Sequence, residues 1–375
     1  MKIVADNNIP FLQGALEPFA EVVYIPGSEI SRDVLIDADA LLIRTRTKCN
    51  EAMLNGTNVK FIGTATIGFD HIDTEYCEKN KIKWTNAPGC NSSSVQQYIT
   101  AALLKVSLKS KSCLKDKTLG IIGAGNVGTK VQKIAEVLGM NILLNDPPRA
   151  RLEGDVDFTS LKTILKESDI ITVHVPLNMK GEDCTYHLFN DELFRQMKNG
   201  AWFFNTSRGE VADTAALKKA LEAGKPAGAV LDVWENEPRI DLELLDKAFI
   251  TTPHIAGYST DGKANGTSMV VNYLAAYFNL PLKNWYPENI PEPQSTEIEI
   301  DCKFKSDEDI LREAVFTTYR LNEDITRLRI IPSDFERQRA YYPLRREFPS
   351  YTITLKRMTN EIHKTLSDMG FKISG

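Results

Sequence analysis

Apolar strand candidates alternate with helical patterns twice along the sequence, first over about the initial ninety residues and then between Lys117 and His254. The first series consists of KIVAD, EVVYI, ALLIR, KFIGT and KWTNA, and the second of TLGII, NILLND, DIITVHV, AWFFN, GAVLDV and FITTPH. Strands that are apolar on both faces and separated by helices form parallel sheets covered on both sides. The alternation therefore predicts an α/β protein with two doubly wound parallel-sheet domains, Rossmann- or flavodoxin-like.

Two long helices indicate how the chain passes between these domains. The segment NSSSVQQYITAALLKVSLKS, in which Ser94 and Gln97 have the spacing of a capping box, leads into the second series. The segment STDGKANGTSMVVNYLAAYF follows His254 and is expected to return to the first domain. We thus predict a first domain of residues 1-93 and 259-285 and a second domain of residues 94-258.

A Pro- and Asn-rich stretch, NLPLKNWYPENIPEPQS, marks the start of a third domain over residues 286-375. In TEIEIDCKF, the residues Ile298, Ile300, Cys302 and Phe304 alternate with mostly charged ones, as in a sheet buried on one face. Charged helices are expected in DEDILREAVFTTYRL and SDFERQRAYYPLRREF, then a strand in SYTITLK and a last helix. A segment of this size makes only a marginal core alone. We predict a small α+β domain that forms a homodimer, with a ligand-sensing domain as the alternative.

The composition is that of an ordinary globular protein, with 42% hydrophobic and 25% charged residues over 375 positions. The net charge of −5 gives no electrostatic reason to expect nucleic acid or an anionic membrane as a partner. No apolar run is long enough to span a bilayer, and the N-terminus lacks the pattern of a signal peptide. The cysteines are scattered, so neither a metal site nor a disulfide framework is indicated, and a cytoplasmic protein is expected.

The segment LGIIGAGNVGTKVQKIAEVLGM carries Gly123, Gly125 and Gly128 in the order GxGxxG, between a strand and a helix. The first glycine permits a tight turn, the second lets the backbone approach a pyrophosphate, and the third lets the helix pack against the sheet. The helix N-terminus, at Asn126 and Val127, would face the anion. The pattern predicts a nicotinamide dinucleotide; a glycine turn without a ligand, a flavin and another nucleotide are the alternatives.

The next strand, NILLND, ends in Asp146, eighteen residues past Gly128. A carboxylate at this position accepts hydrogen bonds from both ribose hydroxyls and would repel a 2′-phosphate. NAD is therefore favoured over NADP, although Arg149 nearby leaves this preference open.

Arg208, Glu237 and His254 each follow a strand of the second series, at the sheet edge where ligands bind in open α/β folds. Beside a dinucleotide they suit the oxidation of a hydroxyl next to a carboxylate. Arg208 would bind the carboxylate, His254 would take the hydroxyl proton as general base, and Glu237 would fix the imidazole tautomer. Alternatively, Arg208 could cap a helix or form a surface ion pair, His254 could be a core histidine, and Glu237 could be a solvated acid in a turn. The histidines without such a setting are interpreted as structural: His71, His174 and His187.

The blocks GxGxxG…D, NTSRG, LDVWENEP and TPHIAG resemble, in order and spacing, the signature blocks of the D-isomer-specific 2-hydroxyacid dehydrogenases. This resemblance covers about the first 285 residues. It implies a substrate-binding lid domain (residues 1-93 and 259-285) and an NAD-binding domain (residues 94-258), with the active site in the cleft between them. It assigns the family's catalytic arginine, glutamate and histidine to Arg208, Glu237 and His254.

Further segments, among them KFIGTATIGFDHID, NDPPRA, PHIAGYSTDGKANGT and DFERQRAYYPLRREF, extend the resemblance over the whole chain. They are similar to members of the family that dimerise through an additional C-terminal domain. This closer resemblance implies NAD-dependent oxidation of 4-phospho-D-erythronate to 3-hydroxy-2-oxo-4-phosphooxybutanoate, in the biosynthesis of pyridoxal 5′-phosphate.

The resemblance also assigns contacts residue by residue. Substrate contacts fall on Thr45, Thr66 and Tyr258, and NAD contacts on Asp146, Val175, Thr206, Ser207, Arg208, Asp232 and Gly257. Val175 stands where the family usually has a hydroxyl residue, so only a backbone contact is expected there; Thr45 replaces a serine and keeps the hydroxyl. Asp232 could contact the nicotinamide carboxamide or cap its strand end, and Tyr258 could donate to the phosphate or pack against the cleft.

The terminal phosphate of such a substrate requires cations. The segment LLIRTRTKCN has Arg44, Arg46 and Lys48 at alternate positions, and alternate residues of an extended segment point the same way. They would then form one basic patch, with an ordinary solvated loop as the alternative. The nearby segment GTATIG offers backbone N–H groups for a carboxylate.

Two other functions are considered. One is another D-2-hydroxyacid dehydrogenase, for example one acting on phosphoglycerate, and the C-terminal segment argues against it. The other is a NAD(H)-sensing interaction protein on the same fold, and the complete set of Arg208, Glu237 and His254 argues against it.

Overall fold

The computed structural model describes residues 1–374, and the chain divides into two compact units. The first unit consists of Met1–Asn91 and Ser259–Pro291, and the second of Ser92–Tyr258 together with the chain from Glu292 onward. The C-terminal residues thus share a unit with the second α/β series. Their separation as a third domain stays a prediction.

Both units contain strands and helices. The strands are β1 (Lys2–Asp6), β2 (Glu21–Ile25), β3 (Ala40–Ile43), β4 (Phe61–Thr64), β5 (Lys83–Thr85), β6 (Thr118–Ile122), β7 (Asn141–Asn145), β8 (Ile170–Val173), β9 (Trp202–Asn205), β10 (Gly228–Leu231), β11 (Ile250–Thr251), β12 (Glu297–Asp301), β13 (Thr352–Lys356) and β14 (Lys372–Ser374). The helices are α1 (Arg32–Leu35), α2 (Glu51–Leu54), α3 (Thr74–Lys79), α4 (Ser92–Ser110), α5 (Asn126–Val137), α6 (Pro147–Glu153), α7 (Leu161–Glu167), α8 (Asp191–Gln196), α9 (Thr214–Glu222), α10 (Leu242–Lys247), α11 (Thr260–Tyr277), α12 (Asp307–Thr318), α13 (Leu321–Ile330), α14 (Phe335–Ala340) and α15 (Asn360–Asp368).

The sheet of the first unit has the order β2-β1-β3-β4-β5, and all neighbours pair in parallel. Its central strands are buried on both faces because helices cover both sides. On one face Val270 and Leu274 of α11 pack with Phe61, and on the other Leu35 and Leu54 belong to the core. This is the predicted flavodoxin-like order.

The large sheet of the second unit has the order β11-β10-β9-β8-β6-β7 and is also parallel throughout. Tyr98 of α4 and Val131 of α5 lie in the core on one face, and Phe194 of α8 and Leu217 of α9 in the core on the other. Because all six strands run the same way, their carboxyl ends lie along one edge. The two parallel sheets confirm the predicted fold class.

The C-terminal residues build a third, smaller sheet with the order β12-β13-β14. Along β12, buried Ile298 and Ile300 alternate with exposed glutamates, which confirms the predicted one-sided burial. Helix α12 begins with a capping box and packs on α4, with Ala314 and Val315 in the core that it shares with the large sheet. The C-terminal residues are therefore bound to the second α/β series by a continuous apolar core.

Two local predictions about side-chain position are wrong. Phe304 is 95% exposed, because β12 ends at Asp301 and the chain turns there, with a φ of +62° at Phe304. Ser94 and Gln97 do not cap α4, because this helix begins at Ser92 and both residues are buried within it. Their spacing matches a capping box only by coincidence.

The predicted helix over SDFERQRAYYPLRREF is also shorter than expected. Helix α14 ends at Ala340, and residues 341–347 are not helical, because Pro343 cannot continue the hydrogen-bonding pattern. Within residues 1–374, no helix combines the length and apolar character that a bilayer crossing requires.

Candidate active site

Three adjacent strands carry the predicted catalytic set to one edge of the large sheet. β9, β10 and β11 are neighbours, and Arg208, Glu237 and His254 follow them three, six and three residues past the strand ends. The parallel pairing of these strands puts all three residues on the carboxyl side of the sheet. This is the edge at which ligands bind in open α/β folds.

Glu237 and His254 form a direct hydrogen bond. Nδ1 of the imidazole donates to Oε2 of Glu237 at 2.8 Å, and Oε1 accepts the backbone N–H of Trp234 at 3.0 Å. Burial by itself would raise the pKa of Glu237, but the charge and hydrogen bond of His254, the Trp234 N–H and the charge of Arg339 outweigh it and lower this pKa. The ionised carboxylate assigns the ring proton to Nδ1 and leaves Nε2 as a hydrogen-bond acceptor.

The backbone at His254 is held in an unusual conformation. Its φ is +55°, which L-residues adopt only where the surrounding structure supports it. The His254 N–H donates to the Asp232 carbonyl at 2.6 Å. The Asp232 carboxylate accepts the Thr252 hydroxyl at 2.6 Å and the N–H groups of Ile255 and Ala256 at 2.8 and 2.9 Å. These are contacts of a strand-end cap, and a contact of Asp232 with nicotinamide stays a prediction.

Asn205, the last residue of β9, organises the loop that carries Arg208. Its side-chain oxygen accepts the N–H and the hydroxyl of Ser207 at 3.1 and 2.9 Å, and its NH₂ group donates to the Arg208 carbonyl at 2.9 Å. At Gly209, a Cβ would lie 1.9 Å from the carbonyl carbon of Trp234. Only glycine therefore lets this loop pack against the loop after β10. Asn205 was not predicted as a site residue, although it is the first residue of NTSRG.

The GxGxxG turn has the geometry that a dinucleotide pyrophosphate requires. Gly123 has a φ of +89°, and a Cβ there would lie 2.4 Å from the carbonyl oxygen of His174. At Gly128, a Cβ would lie 1.9 Å from the carbonyl oxygen of Gly123. At Gly125, by contrast, a Cβ would meet nothing within 4 Å, so this side of the turn is open to a ligand. Because α5 begins at Asn126, its positive end faces that opening, and the residues fit the group.

Asp146 lies at the end of β7 with room for further hydrogen bonds. Its carboxylate accepts the N–H of Ala124 at 2.8 Å and that of Arg149 at 3.1 Å, which leaves lone pairs for ribose hydroxyls. The Arg149 guanidinium donates to Glu153 at 2.8 and 2.6 Å and to the Ala124 carbonyl at 2.6 Å. Glu153 thus compensates the charge of Arg149, a cation that could attract a 2′-phosphate, in agreement with NAD as the cofactor.

Val175 and Thr206 lie at the same edge, after β8 and β9 respectively. A Cβ added to the first glycine of the turn would lie 2.9 Å from the Val175 Cγ1, so this side chain packs directly on the turn. The Thr206 hydroxyl lies 3.4 Å from Nδ1 of His174, whose Nε2 lies 2.9 Å from the Thr172 hydroxyl. Burial lowers the pKa of His174 to about 3, so this ring is neutral. Its contacts are those of a residue that supports Thr206.

The predicted basic patch of the first unit assumed an extended backbone, which the structure does not show there. Residues 45–47 form a turn after β3 instead of an extended segment, because Thr47 is buried and its hydroxyl donates to the Gly27 carbonyl at 2.9 Å. Arg44 donates to a backbone carbonyl of the loop after β1 at 3.1 Å, and Arg46 and Lys48 are exposed. Alternation therefore does not align these side chains, and their contact with phosphate stays a prediction.

The two threonines assigned to the substrate lie in the same unit. Thr45 is exposed in the turn after β3. The Thr66 hydroxyl lies 2.8 Å from that of Thr64 and donates to the Gly68 carbonyl at 3.1 Å. Nε2 of His71 lies 3.2 Å from the Thr64 hydroxyl, and burial lowers the pKa of this histidine against the opposing charge of the preceding aspartate. His71 thus helps to order the loop that contains Thr66.

Tyr258 follows Gly257 and contacts the C-terminal part of the unit. Its ring meets that of Tyr342 edge-on, with centroids 5.9 Å apart, and the Arg339 guanidinium carbon lies 5.8 Å from its centroid. The charge of Arg339 also contributes to the lowered pKa of Glu237. Arg339 was not predicted as a site residue, because no local pattern links it to residues so far away in the sequence.

His187 forms a second histidine–carboxylate pair. Its Nε2 lies 2.7 Å from Oε1 of Glu235, whose Oε2 accepts the Thr214 N–H at 2.8 Å. Its Nδ1 lies 3.5 Å from the Asp213 carboxylate. With carboxylates at both ring nitrogens, His187 links surrounding loops, whereas His254 keeps one nitrogen for another partner.

Comparison with known proteins relates these features to a family. Residues 96–256 match the family described as D-isomer specific 2-hydroxyacid dehydrogenase, NAD binding domain, and residues 290–370 match a domain of unknown function. The erythronate-4-phosphate dehydrogenase of Bacteroides thetaiotaomicron is 50% identical over 94% of this chain and 99% of its own length. That of Proteus mirabilis is 41% identical over 99% of both chains.

Solved structures of similar proteins agree with this relation. A D-lactate dehydrogenase from Aquifex aeolicus, complexed with NAD and lactic acid, has a TM-score of 0.61 and 29% identity, covering 74% of this chain and 96% of that one. An NAD-bound 3-phosphoglycerate dehydrogenase from Entamoeba histolytica has a TM-score of 0.63 and 26% identity, covering 78% of this chain and 99% of that one.

Proposed function

Because the chain belongs to the erythronate-4-phosphate dehydrogenases, within the D-isomer-specific 2-hydroxyacid dehydrogenase family, we propose that it oxidises 4-phospho-D-erythronate with NAD. The product is 3-hydroxy-2-oxo-4-phosphooxybutanoate, and the reaction serves the biosynthesis of pyridoxal 5′-phosphate. The observation that carries the proposal is the 2.8 Å hydrogen bond between Glu237 and His254, in the loops after β10 and β11, at the same sheet edge as Arg208 after β9. This set supplies a base and a cation at a dinucleotide-binding sheet edge.

In this reaction the C2 hydroxyl loses its proton and C2 loses hydrogen with its bonding electron pair. NAD, when bound, supplies the acceptor for that hydrogen and electron pair. Nε2 of His254 accepts the hydroxyl proton, because the bond from Nδ1 to Glu237 leaves Nε2 with a free lone pair. The Glu237 carboxylate then stabilises the imidazolium that forms. Arg208 binds the substrate carboxylate, so that C2 is held in one orientation.

The residues proposed to hold the dinucleotide form one group along the carboxyl edge. They are Gly123, Gly125, Asn126, Val127, Gly128, Asp146, Val175, Thr206, Ser207, Arg208, Asp232 and Gly257. The open space at Gly125 and the remaining lone pairs of Asp146 support this assignment.

Thr45, Thr66 and Tyr258 are proposed to bind the substrate by hydrogen bonds, with Arg44 and Arg46 as partners of its phosphate. The positive charge and planar set of donors of a guanidinium group suit a phosphate dianion. If this assignment is right, the unphosphorylated acid is oxidised poorly, since its C4 hydroxyl offers no charge to these guanidinium groups.

We further propose that the chain is a cytoplasmic homodimer that forms through its C-terminal part. Large apolar side chains are exposed there: Ile330 is 71% exposed, Ile331 47%, Tyr341 80% and Leu344 45%. A partner subunit would remove this apolar surface from water. In sedimentation of the full chain, Ile330→Asp and Tyr341→Asp should yield monomers. Leu152→Asp serves as the control, because Leu152 is an exposed apolar residue outside the C-terminal part. A wild-type monomer would contradict the proposal.

The test of the activity is the appearance of NADH with NAD and 4-phospho-D-erythronate. Parallel reactions contain D-3-phosphoglycerate and unphosphorylated erythronate, each with a trap for the keto product, because the oxidation is uphill near neutral pH. Turnover confined to 4-phospho-D-erythronate supports the proposal. Preference for phosphoglycerate would indicate another dehydrogenase of the family, and NADH binding without any turnover would indicate a sensor. Equal turnover of erythronate would support the proposed oxidation but contradict the proposed contacts with the phosphate.

A further inference from the structure

Arg345 is a buried arginine in the non-helical segment that follows α14. It is only 5% exposed, and it lies nearly ninety residues after the loop that follows β11. Burying a guanidinium is costly unless its donors find acceptors. Its acceptors therefore indicate what this arginine does.

The Arg345 guanidinium binds backbone carbonyls of the loop that follows His254. Its Nε donates to the Tyr258 carbonyl at 3.1 Å, and its Nη2 donates to the carbonyls of Ala256 at 2.7 Å and Ile255 at 3.4 Å. Nη2 also donates to the Ser94 hydroxyl at 3.0 Å. A single side chain from the C-terminal part of the chain thus donates hydrogen bonds to most of the carbonyls of this short loop.

The same loop is held from the other side by Asp232. The Asp232 carboxylate accepts the N–H groups of Ile255 and Ala256, whose carbonyls bind Arg345. The loop from Ile255 to Tyr258 therefore lies between a buried anion on its N–H groups and a buried cation on its carbonyls. Such paired contacts fix the peptide planes more tightly than either charge alone, because each is charge-assisted and directional.

This double clamp acts next to the strained residue. His254 precedes the clamped loop and has a φ of +55°, a backbone conformation that relaxes unless neighbouring contacts maintain it. A change in the peptide planes after His254 would rotate its imidazole relative to Glu237. Tyr258 at the other end of the loop would move as well. The orientation of the base is thus coupled to a residue of the C-terminal part.

We infer that Arg345 is a positioning residue of the active site, which holds the loop carrying His254 and Tyr258 in its reactive conformation. The inference rests on the proposed function, since it assigns Arg345 a part in the same reaction. It also gives the C-terminal part of the chain a role in catalysis besides dimerisation. Arg345 itself need not touch the substrate.

The test uses the full chain with Arg345→Met and Arg345→Lys. Methionine keeps the apolar part of the side chain against Tyr319, whose ring centroid lies 4.2 Å from the guanidinium carbon, but donates no hydrogen bond. Lysine keeps the charge with fewer directed donors. Arg312→Met is the matched control. Arg312 is also a largely buried arginine that donates to a serine of α4, Ser107, at 3.0 Å, but it does not contact the loop.

The expected result is a fall in kcat of about 10²-fold for Arg345→Met, as for other small misplacements of a reacting group. NADH affinity and KM should change less than about threefold, and Arg345→Lys should fall between wild type and Arg345→Met. Arg312→Met should keep kcat within about threefold at similar loss of thermal stability. In Arg345→Ala, guanidinium chloride at tens of millimolar should restore kcat, whereas sodium chloride at equal ionic strength should not.

Three results would overturn the inference: a folded Arg345→Met with wild-type kcat, an equal loss of kcat in Arg312→Met, or no rescue by guanidinium. If wild type oxidises none of the substrates, the proposed function fails separately. The clamp is then tested by the Cε1–H proton resonance of His254, identified by its absence in His254→Asn. A shift of this resonance in Arg345→Met but not in Arg312→Met supports the clamp, and an unchanged resonance contradicts it.

Discussion

Replacement of Glu237 by glutamine is the sharpest test of the proposed proton transfer. Glutamine has nearly the same shape and can still accept the Trp234 N–H through its amide oxygen, as Glu237 does at 3.0 Å. The group facing His254 then becomes an NH₂ donor in place of a carboxylate oxygen. To accept that donor, the ring must move its proton from Nδ1 to Nε2. The substitution therefore removes both the charge and the tautomer that the base requires.

The magnitude follows from the bond that is lost. A hydrogen bond to a charged group contributes about 1.5–3 kcal/mol, and each 1.36 kcal/mol changes a rate about tenfold. The lost carboxylate alone thus predicts a fall in kcat of about 10- to 150-fold. The reversed tautomer adds to this, and comparable changes in serine proteases reach about 10⁴-fold. We expect kcat to fall at least about 10²-fold, with little change in NADH affinity.

Glu235→Gln is the matched control for this experiment. Glu235 is two positions away, also accepts one backbone N–H, and also pairs with a histidine, His187, at 2.7 Å. Initial rates of NADH formation at saturating substrate should stay within about threefold of wild type in Glu235→Gln. If Glu237→Gln keeps wild-type kcat, or if both variants lose it equally, the assignment of Glu237 to the base is wrong.

Three further predictions follow from the same geometry. The pKa of Glu237 is lowered on folding from its ordinary value of 4.5, so this carboxylate stabilises the fold above that pH. The difference in unfolding free energy between wild type and Glu237→Gln should therefore be constant near neutrality and shrink below pH 4.5. A difference that grows in acid would refute the lowered pKa. Gly128→Ala should lower the melting temperature of the protein without cofactor, because its Cβ meets a carbonyl oxygen at 1.9 Å. Gly125→Ala should keep the melting temperature and weaken NADH binding in a fluorescence titration. Equal melting temperatures of the two variants would contradict this prediction. Asp146→Ala should weaken NADH binding about tenfold and reduce discrimination against NADPH. Asp169→Ala, which removes an acceptor of the Thr118 N–H, should leave both unchanged, and a common effect would indicate a structural role.

The parallel sheets and the grouping of the site residues were accessible from the sequence. Fully apolar strands separated by helices have few stable arrangements, and such sheets align their carboxyl ends. Residues that directly follow β9, β10 and β11 therefore had to share one edge, which is why Arg208, Glu237 and His254 could be grouped without coordinates. The glycine positions were predictable for the same reason, because each is required by a close backbone approach.

The contacts that support the site residues could not be predicted from the sequence. Arg345 binds a loop nearly ninety residues away, and nothing in its neighbourhood in the sequence marks it as more than a surface arginine. Asn205 lies within a recognised block but acts through its side chain on its own loop. From the sequence, Asp232 could contact the nicotinamide or cap its strand end, and only the structure shows that its oxygens hold the loop after β11.

Two predictions assumed a regular backbone where the chain turns. The alternation of Arg44, Arg46 and Lys48 suggested one basic patch, but the buried Thr47 draws the chain into a turn. The alternation of buried and exposed residues along β12 continues to the buried Cys302, but the chain turns after it and Phe304 is exposed. Short or charged elements were missed altogether, as for α13 and the three-residue β14.

The central claim is that His254 removes the substrate proton, and His254→Asn tests it most directly. Asparagine fills part of the same space and can still donate to Glu237, but it has no titratable nitrogen. NADH binding and NADH formation from 4-phospho-D-erythronate should be measured on the same preparation. We predict unchanged NADH affinity with kcat lowered at least about 10²-fold, the usual contribution of a general base. Turnover at the wild-type rate would contradict the account.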